Sequence, residues 1–386
     1  MTAPLLINSL AVLQAQYSSH TLLKAPFRRE LPVPSSKTHR KRKQREDEDL
    51  KVDEGRQLTR SEEDGMRRHR SVAPWLYIAL HLSQGKWLAT QISEKEVANV
   101  PALTAVSSQL RSWASATGDG SRTEGAARAY APPADVSELS SEAQICARLW
   151  RHTRTTETPV TLSGRCFVLP PQSAFVLAQA PDLAALDSGT YSLLVADPPW
   201  ENASARRASV YACMAPHELR AMPVAPLLAT RAYVAVWVTH KEPLVRFAMQ
   251  SLLPAWGATY VATAHWLKVT AHGQPLSPID PPNPRAGGAP HLPYESIVIG
   301  RKGEVSEAHA ALEQRLLASR VIIADVGQRH SRKPPLDALF EPLLSALPPK
   351  ADHHAYLELF ARELRSGWTS WGNEVLLFNE RDGNFQ

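Results

Sequence analysis

The chain has 386 residues, enough for one large domain with an appendage or for two modest domains. Its apolar fraction of 44% is ordinary for a globular protein, and its net charge of +5 suits a polyanionic partner better than a cationic one. Cys146, Cys166 and Cys213 lie too far apart for a zinc pattern or a disulfide framework, the histidines show no metal-ligand spacing, and no apolar stretch nears the ~20 residues of a membrane span. A reducing compartment, no metal and no membrane are therefore expected.

Residues 5–12 are apolar with no cationic segment before them, so they read as the start of a strand or helix and not as a signal peptide. Residues 37–45, Lys-Thr-His-Arg-Lys-Arg-Lys-Gln-Arg, form a dense basic run that is followed at once by Glu46-Asp47-Glu48-Asp49. Such a block buries too little surface to fold by itself, so about 35–70 is expected to be disordered. Its functional reading is a nuclear import signal or a nucleic-acid-binding arm, and its bland reading is a charged insertion. The nucleus is the expected location, with the cytosol as alternative.

Trp75, Leu76, Tyr77, Ile78, Leu80, Leu82 and Trp87 mark ordered structure over 74–90. Residues 112–135, rich in Ala, Ser, Gly and Pro, read as a flexible linker. Asp135 then reads as the cap of a helix whose apolar positions are Val136, Leu139, Ala143, Cys146, Leu149 and Trp150.

From about residue 160 strands and helices alternate. Strands are expected at 165–169, 191–196, 233–239, 260–269, 296–300, 321–324 and 356–360, and helices at 215–221, 244–253 and 336–347. The run 232–239 is almost continuously apolar, as a strand covered on both faces should be. The expected fold is α/β: a doubly wound, mostly parallel sheet flanked by helices over 161–386, with 1–160 as an accessory region. The proline-rich stretch 271–293 reads as a long surface loop.

The most informative residues are Asp197-Pro198-Pro199-Trp200, directly after the apolar run 191–196. The Asp falls at the carboxyl end of a buried strand, the edge where open α/β sheets bind ligands. Two prolines fix the backbone behind it. The exocyclic amine of adenine or cytosine is a poor nucleophile, because its lone pair is delocalised into the ring. The Asp197 carboxylate and the Pro198 carbonyl can each accept one of its N–H groups and favour a tetrahedral nitrogen. Trp200 offers a ring on which a base can stack, worth ~1–3 kcal/mol. The alternative is a Pro-Pro strand exit with Asp as a cap.

Two further blocks carry chemistry. Near the C-terminus, a strand end with a Glu and an Arg close by suits a nucleoside diol, and Asn373 offers a donor and an acceptor to an adenine edge; the alternative is a surface strand and helix cap. Lys333, ahead of Pro334-Pro335 and a helix, reads either as a carboxylate binder at the helix N-terminus or as part of a basic surface loop. Lys241, Lys268, Arg206 and Arg207 flank strand ends near the catalytic turn and are candidate phosphate contacts, or else solvated surface charges.

The chain resembles the Asp-Pro-Pro-Trp (MT-A type) family of adenosine N(6)-methyltransferases and, within it, the branch called methyltransferase-like protein 4. The resemblance rests on Asp197-Pro-Pro-Trp-Glu-Asn202, Trp237-Val-Thr239, His265-Trp-Leu-Lys-Val-Thr270, Pro293-Tyr-Glu295 with Ile299-Gly-Arg301, Lys333-Pro-Pro335, and Leu357-Glu-Leu-Phe-Ala-Arg362 with Gly367-Trp-Thr-Ser-Trp-Gly-Asn-Glu374, in the family's order over about 165–380. It implies a Rossmann-like methyltransferase fold with permuted motif order, the catalytic turn first and the cofactor strand last. It implies S-adenosylmethionine as methyl donor, and Asp197, Pro198, Pro199 and Trp200 as the grip on the target amine. Lys333 would meet the methionine carboxylate, and Glu358, Phe360, Arg362, Asn373 and Glu374 would surround the adenosine half. Glu363 stands where the family commonly has Asn, and can still accept from ribose hydroxyls. Asn202 and Tyr211 would belong to the substrate side, Tyr211 as the aromatic that gates the base.

The expected activity is methylation of the adenine N(6) amine in nucleic acid by in-line displacement. The resemblance favours RNA, in particular a 2′-O-methylated adenosine of a small nuclear RNA. DNA adenine, and a non-catalytic nucleic-acid-binding subunit of the same fold, are the alternatives. A monomer is expected, because no coiled coil or apolar interface is visible.

Overall fold

A computed structural model describes residues 60–83, 100–115, 132–141, 144–200, 213–270, 273–279, 292–318, 320–325, 332–347 and 355–381. Two helices come first, α1 (Arg60–Ser83) and α2 (Val100–Ser115), followed by the short strands β1 (Ala134–Asp135) and β2 (Trp150–Arg151). Strands β3 (Thr158–Leu162), β4 (Arg165–Leu169), β5 (Ala174–Leu177) and β6 (Tyr191–Ala196) lead to α3 (Pro216–Ala221), β7 (Leu228–Val238) and α4 (Glu242–Phe247). After α4 a π turn, Ala248–Leu252, carries the helix on to Ala255. Then come β8 (Thr259–Val269), β9 (Tyr294–Lys302), α5 (Glu307–Leu317), β10 (Val321–Asp325), α6 (Asp337–Ser345), β11 (Ala355–Leu359), β12 (Trp368–Gly372) and β13 (Glu380–Arg381).

Ten strands form one sheet in the order β1-β2-β5-β12-β11-β6-β7-β9-β8-β10, and β13-β4-β3 form a small second sheet. Only β9 against β7 and β8, and β2 against β5, pair antiparallel in the large sheet. The central strands are apolar throughout because both faces are covered. All six residues of β6 are buried, as is β7 except at Thr230 and Arg231. Leu194, Ala196, Val234 and Val236 face Leu219, Val245, Leu252 and Trp256. Leu193, Val195, Tyr233 and Ala235 face Leu316 and Leu317 of α5 and Phe340 and Leu343 of α6.

Strands β6 and β11 are parallel neighbours, with Glu358 beside Val195 and Leu359 beside Ala196. From β6 the chain proceeds to β7 on one side, and from β11 to β12 on the other. The strand order therefore reverses between β6 and β11. In open α/β sheets the crevice at such a reversal, outside the carboxyl ends of the strands, is where ligands bind. Asp197 stands at its lip.

Several expectations need correction. The helix over 136–150 is not formed. Asp135 does act as a cap, accepting from Ser137 N at 2.9 Å, but the turn it starts ends at Glu138. Beyond it the chain is tied into the sheet edge, with Ala134 N donating to Leu149 O and Trp150 pairing with Phe175. The side chain of Asp135 satisfies the backbone locally and thereby competes with a longer helix. Residues 60–70, expected within a disordered segment, are the first turns of α1, and residues 112–115 belong to α2, not to a linker. The basic run 37–45 lies outside the described residues.

The boundary expected at 160 does not divide the packing, since β1 and β2 join the large sheet and Val106, Leu110 and Ala114 of α2 pack against Leu364, Val375 and Leu376. Strands β1, β2, β3, β5, β12 and β13 and helices α2 and α5 are additions to the expected elements. In β12 the polar Ser370 is fully buried, its hydroxyl donating to Glu363 O at 3.2 Å. In the loop 271–293, Leu276 N donates to Lys268 O and Ile279 is buried against α1, so 273–279 folds back on the protein. No described helix is long and apolar enough to cross a membrane.

Candidate active site

Asp197 leaves β6 with its backbone N–H directed to Leu359 O of β11 at 3.4 Å. The two prolines give no N–H, so donors further along the chain hold the turn. Trp200 N donates to Pro198 O at 2.8 Å, Met214 N to Pro199 O at 3.0 Å, and the Trp200 indole N–H to Trp237 O at 2.8 Å. Trp200 is only 5% exposed and meets Phe247 edge-on. Its expected role as a stacking platform is thus corrected: the ring is a bolt that pins the turn to β7 and the helix behind it. Pro198 O already accepts one bond, and its second lone pair is the one left for a substrate amine.

Lys333 carries the electrostatics. Its ammonium lies 3.2 Å from Asp197 Oδ2, 2.8 Å from Glu295 Oε2 and 5.6 Å from the centre of the Trp237 ring. Glu295, at the start of β9, also holds the ammonium of Lys268. Burial opposes charge on both partners of Lys333–Glu295. The attraction wins: Glu295 is held down at about 2, and Lys333 is pushed above its ordinary value. The sequence reading of Lys333 as a carboxylate binder therefore has a geometric counterpart, with carboxylates from the chain itself. Glu295 sits in one of the family's motifs, yet no role for it is legible there; only its place just before the apolar core of β9 hints at one.

On the other side of the crevice Glu358 is 7% exposed, and its Oε2 has no hydrogen-bond partner, with Arg365 Nε 3.8 Å away. Burial raises its pKa. Phe360 follows with φ +62°, a left-handed conformation that costs a non-glycine residue ~1–3 kcal/mol and clusters at functional sites. The strand expected to reach Phe360 ends one residue earlier for this reason. The loop beyond rests directly on β12: a Cβ at Gly372 would stand 2.8 Å from Ala361 O.

Four of the expected cofactor residues, Glu363, Asn373, Glu374 and Arg362, are engaged with other residues of the chain. Glu374 is 3% exposed, and its carboxylate accepts from Ser107 and pairs with Arg111 at 3.3 Å and with Arg362 at 3.0 Å. It is an internal anchor with no face left for a ligand. Glu363 is paired side-on with Arg332. Asn373 donates to Gln179 Oε1 at 3.1 Å, which leaves its carbonyl side for another partner. Lys268 is held by Glu295 and lies 5.3 Å over the Trp266 ring, so it is part of the site's charge balance and not an open phosphate contact. Lys241 is exposed at the start of α4. Asn202, Arg206, Arg207 and Tyr211 lie outside the described residues. Ser107, Arg111 and Gln179 join the site without any sequence signal, because nothing local ties together residues as distant as Ser107 and Glu374, 267 positions apart.

The crevice fits a nucleoside-bearing methyl donor in one specific respect: the unpartnered, buried carboxylate oxygen of Glu358 is an acceptor waiting for a hydroxyl donor. The family model described as MT-A70 matches residues 191–374, which holds the turn, Lys333 and the whole β11–β12 wall. Residues 191–374 of this chain belong to the MT-A70 family. Among curated proteins, the N(6)-adenine-specific methyltransferase METTL4 of Homo sapiens is 33% identical over 248 residues, covering 63% of this chain and 50% of that one. The N6-methyladenosine RNA methyltransferase MTA1 of Pyricularia oryzae is 32% identical over 227 residues, covering 56% of each. A DNA N6-methyl methyltransferase of Caenorhabditis elegans is 28% identical over 218 residues, with 55% and 54% covered. The chain thus spans about half the length of the curated relatives it matches. The MT-A70 stretch starts at β6, so α1, α2 and β1 to β5 fall outside it.

Proposed function

We propose that the MT-A70 domain makes this chain an S-adenosylmethionine-dependent methyltransferase that acts on the N(6) amine of adenine in nucleic acid. RNA is the preferred substrate, and a 2′-O-methyladenosine of a small nuclear RNA the specific one. One observation carries the reading: a carboxylate, Asp197, stands on a turn pinned by Trp200, at the point where the strand order reverses, opposite a buried carboxylate with an unpartnered oxygen, Glu358.

S-adenosylmethionine supplies a sulfonium methyl that the amine takes by in-line displacement, leaving a thioether, after which the cationic nitrogen sheds a proton. The chain's residues position. Asp197 and Pro198 O accept the two amine N–H groups and turn the nitrogen lone pair toward the crevice. Glu358 accepts from a ribose hydroxyl. Lys333, shared between two carboxylates, is placed for the methionine carboxylate. Holding reactants at attack distance is worth up to ~7–11 kcal/mol of barrier, so these residues need little acid–base chemistry.

The names of relatives divide between RNA and DNA substrates. Both therefore enter the test: methyl transfer to matched RNA and DNA oligonucleotides, with and without a 2′-O-methyl group on the target adenosine. Asp197→Asn should abolish transfer while S-adenosylhomocysteine affinity stays within a few-fold. Wild-type turnover in that variant would remove Asp197 from its role. Transfer to neither polymer by the wild-type chain, with no binding of S-adenosylhomocysteine, would favour the non-catalytic alternative. We propose the nucleus as its place of action and a monomer as its working form, readable from tagged-protein imaging and sedimentation.

A further inference from the structure

The family stretch accounts for the turn and the crevice, yet the wall of the crevice is braced by a helix that lies outside it. Glu374 ends the MT-A70 match and is almost fully buried. Its two oxygens are divided: Oε2 takes Arg362 Nε at 3.0 Å, and Oε1 takes Arg111 Nε at 3.3 Å together with the Ser107 hydroxyl. Ser107 and Arg111 are one turn apart on α2, on the same helix face. The next turn of that helix reaches Gln179, whose Nε2 donates to Ser115 Oγ at 3.0 Å while its Oε1 accepts from Asn373 at 3.1 Å. Arg362 and Asn373 are thus both held, one contact removed, by α2.

The geometry points to Arg111 as a positioning residue of the cofactor crevice, acting through Glu374 on Arg362. Arg111 Nε stands at Oε1 and Arg362 Nε at Oε2, so the two guanidiniums share the charge of one carboxylate. A guanidinium given both oxygens of a buried carboxylate closes on them as a bidentate fork. Without Arg111 the charge on that carboxylate is shared differently, and Arg362 draws closer onto it, shifting the loop after β11 from which it comes. The backbone of that loop, tied down by Phe378 N donating to Arg362 O at 2.8 Å, follows the side chain. In this way a residue from the accessory region sets the affinity of the methyltransferase pocket for its nucleoside ligand. The inference rests on the proposed function, since it takes the crevice as the S-adenosylmethionine site.

The test is calorimetric titration of the full chain with S-adenosylhomocysteine, alongside steady-state constants for both substrates. Arg111→Ala should weaken S-adenosylhomocysteine binding about tenfold, the weight of one charge-assisted contact, and raise the cofactor KM while leaving the nucleic-acid KM unchanged. Arg111→Lys keeps a cation at Oε1 and should recover most of the affinity. Ser107→Ala removes one contact and should weaken binding in the same direction by less, which keeps the test alive if Arg111→Ala folds poorly. Binding within twofold of wild type in both alanine variants would overturn the positioning role. So would an equal rise in both KM values, the mark of a merely loosened fold. Failure of the wild-type chain to bind S-adenosylhomocysteine would instead sink the reading of the pocket itself.

Discussion

Replacing Lys333 by Met tests the electrostatic account of the site without relying on any activity. The side chain is 11% exposed, and its ammonium serves two carboxylates, at 2.8 Å and 3.2 Å. Removing one partner of a buried ion pair costs ~3–5 kcal/mol, mainly because a charge is left uncompensated. Glu295 keeps Lys268 and Asp197 keeps some solvent, so the lower end applies, about 3 kcal/mol. At ~2–4 °C per kcal/mol for a domain of this size, the melting point should fall by about 6–12 °C. The pH dependence has a definite sign. Glu295 is depressed from 4.5 to about 2, so its contribution is complete above 4.5 and is lost as pH falls through about 2. Lys333 is raised, so its contribution is complete below 10.5 and is lost only at more alkaline pH. The wild-type advantage over Lys333→Met should therefore be full at pH 7 and shrink steadily between pH 4.5 and the onset of acid unfolding. Urea unfolding of both proteins across that range reads it directly. A difference under ~1 kcal/mol at pH 7, typical of an exposed pair, would refute the argument, as would a gap that does not change with pH.

Three other outcomes hang on single contacts or buried groups. Trp200→Phe keeps most of the ring but strands Trp237 O without its indole donor, so it should cost ~1–3 kcal/mol in urea unfolding and lower turnover more than cofactor affinity; unchanged stability would show that the indole bond does not hold the turn. Gly372→Ala drives a methyl to within 2.8 Å of Ala361 O and should displace the loop after β11, weakening S-adenosylhomocysteine roughly tenfold in calorimetry; unaltered affinity would show that the loop can yield. Burial holds His240 down at about 4 and His265 at about 3. Both stay neutral in the folded chain while the unfolded chain takes protons below 6.5, so stability should fall between pH 6.5 and 4 by ~1.4 kcal/mol per pH unit per histidine; His265→Asn should flatten that slope, and an unchanged slope would count against it.

How much of the fold is legible in the sequence depends on how local each signal is. Strands β6 and β7 announce themselves because a strand covered on both faces is apolar along most of its length, and the carboxylate after β6 stands out against that background. Strand β12 escapes because its polar Ser370 is satisfied only in the folded protein. The helix expected after Asp135 fails because apolar spacing is equally compatible with residues that fill a sheet edge. The role of Trp200 is hidden for a related reason. An aromatic beside a catalytic carboxylate can stack on a ligand or brace the turn, and only its bond to Trp237 O decides. Glu363 and Glu374 illustrate the converse: a carboxylate near a nucleoside site is an acceptor in sequence, but Arg332, Arg362 and Arg111 take that capacity in the fold.

These pairings change what the MT-A70 stretch can be said to contain. The crevice edge of its sheet is flanked at both ends by helices from outside it. At the β7 end, Arg68 of α1 pairs with Glu242 at 3.5 Å, and His69 stacks on Tyr294, next to the Glu295 that holds Lys333. At the β12 end, Ser107 and Arg111 of α2 hold Glu374. Neither contact is a surface decoration. Leu76 of α1 and Val106 and Leu110 of α2 are fully buried, and each such side chain is worth ~1.5–3 kcal/mol against exposure. Two helices that bury this much apolar surface and also contact residues beside the crevice tie its geometry to their own docking. The packing around Asp197 and the shape of the β11–β12 wall are consequently tied to α1 and α2 as well as to the MT-A70 stretch.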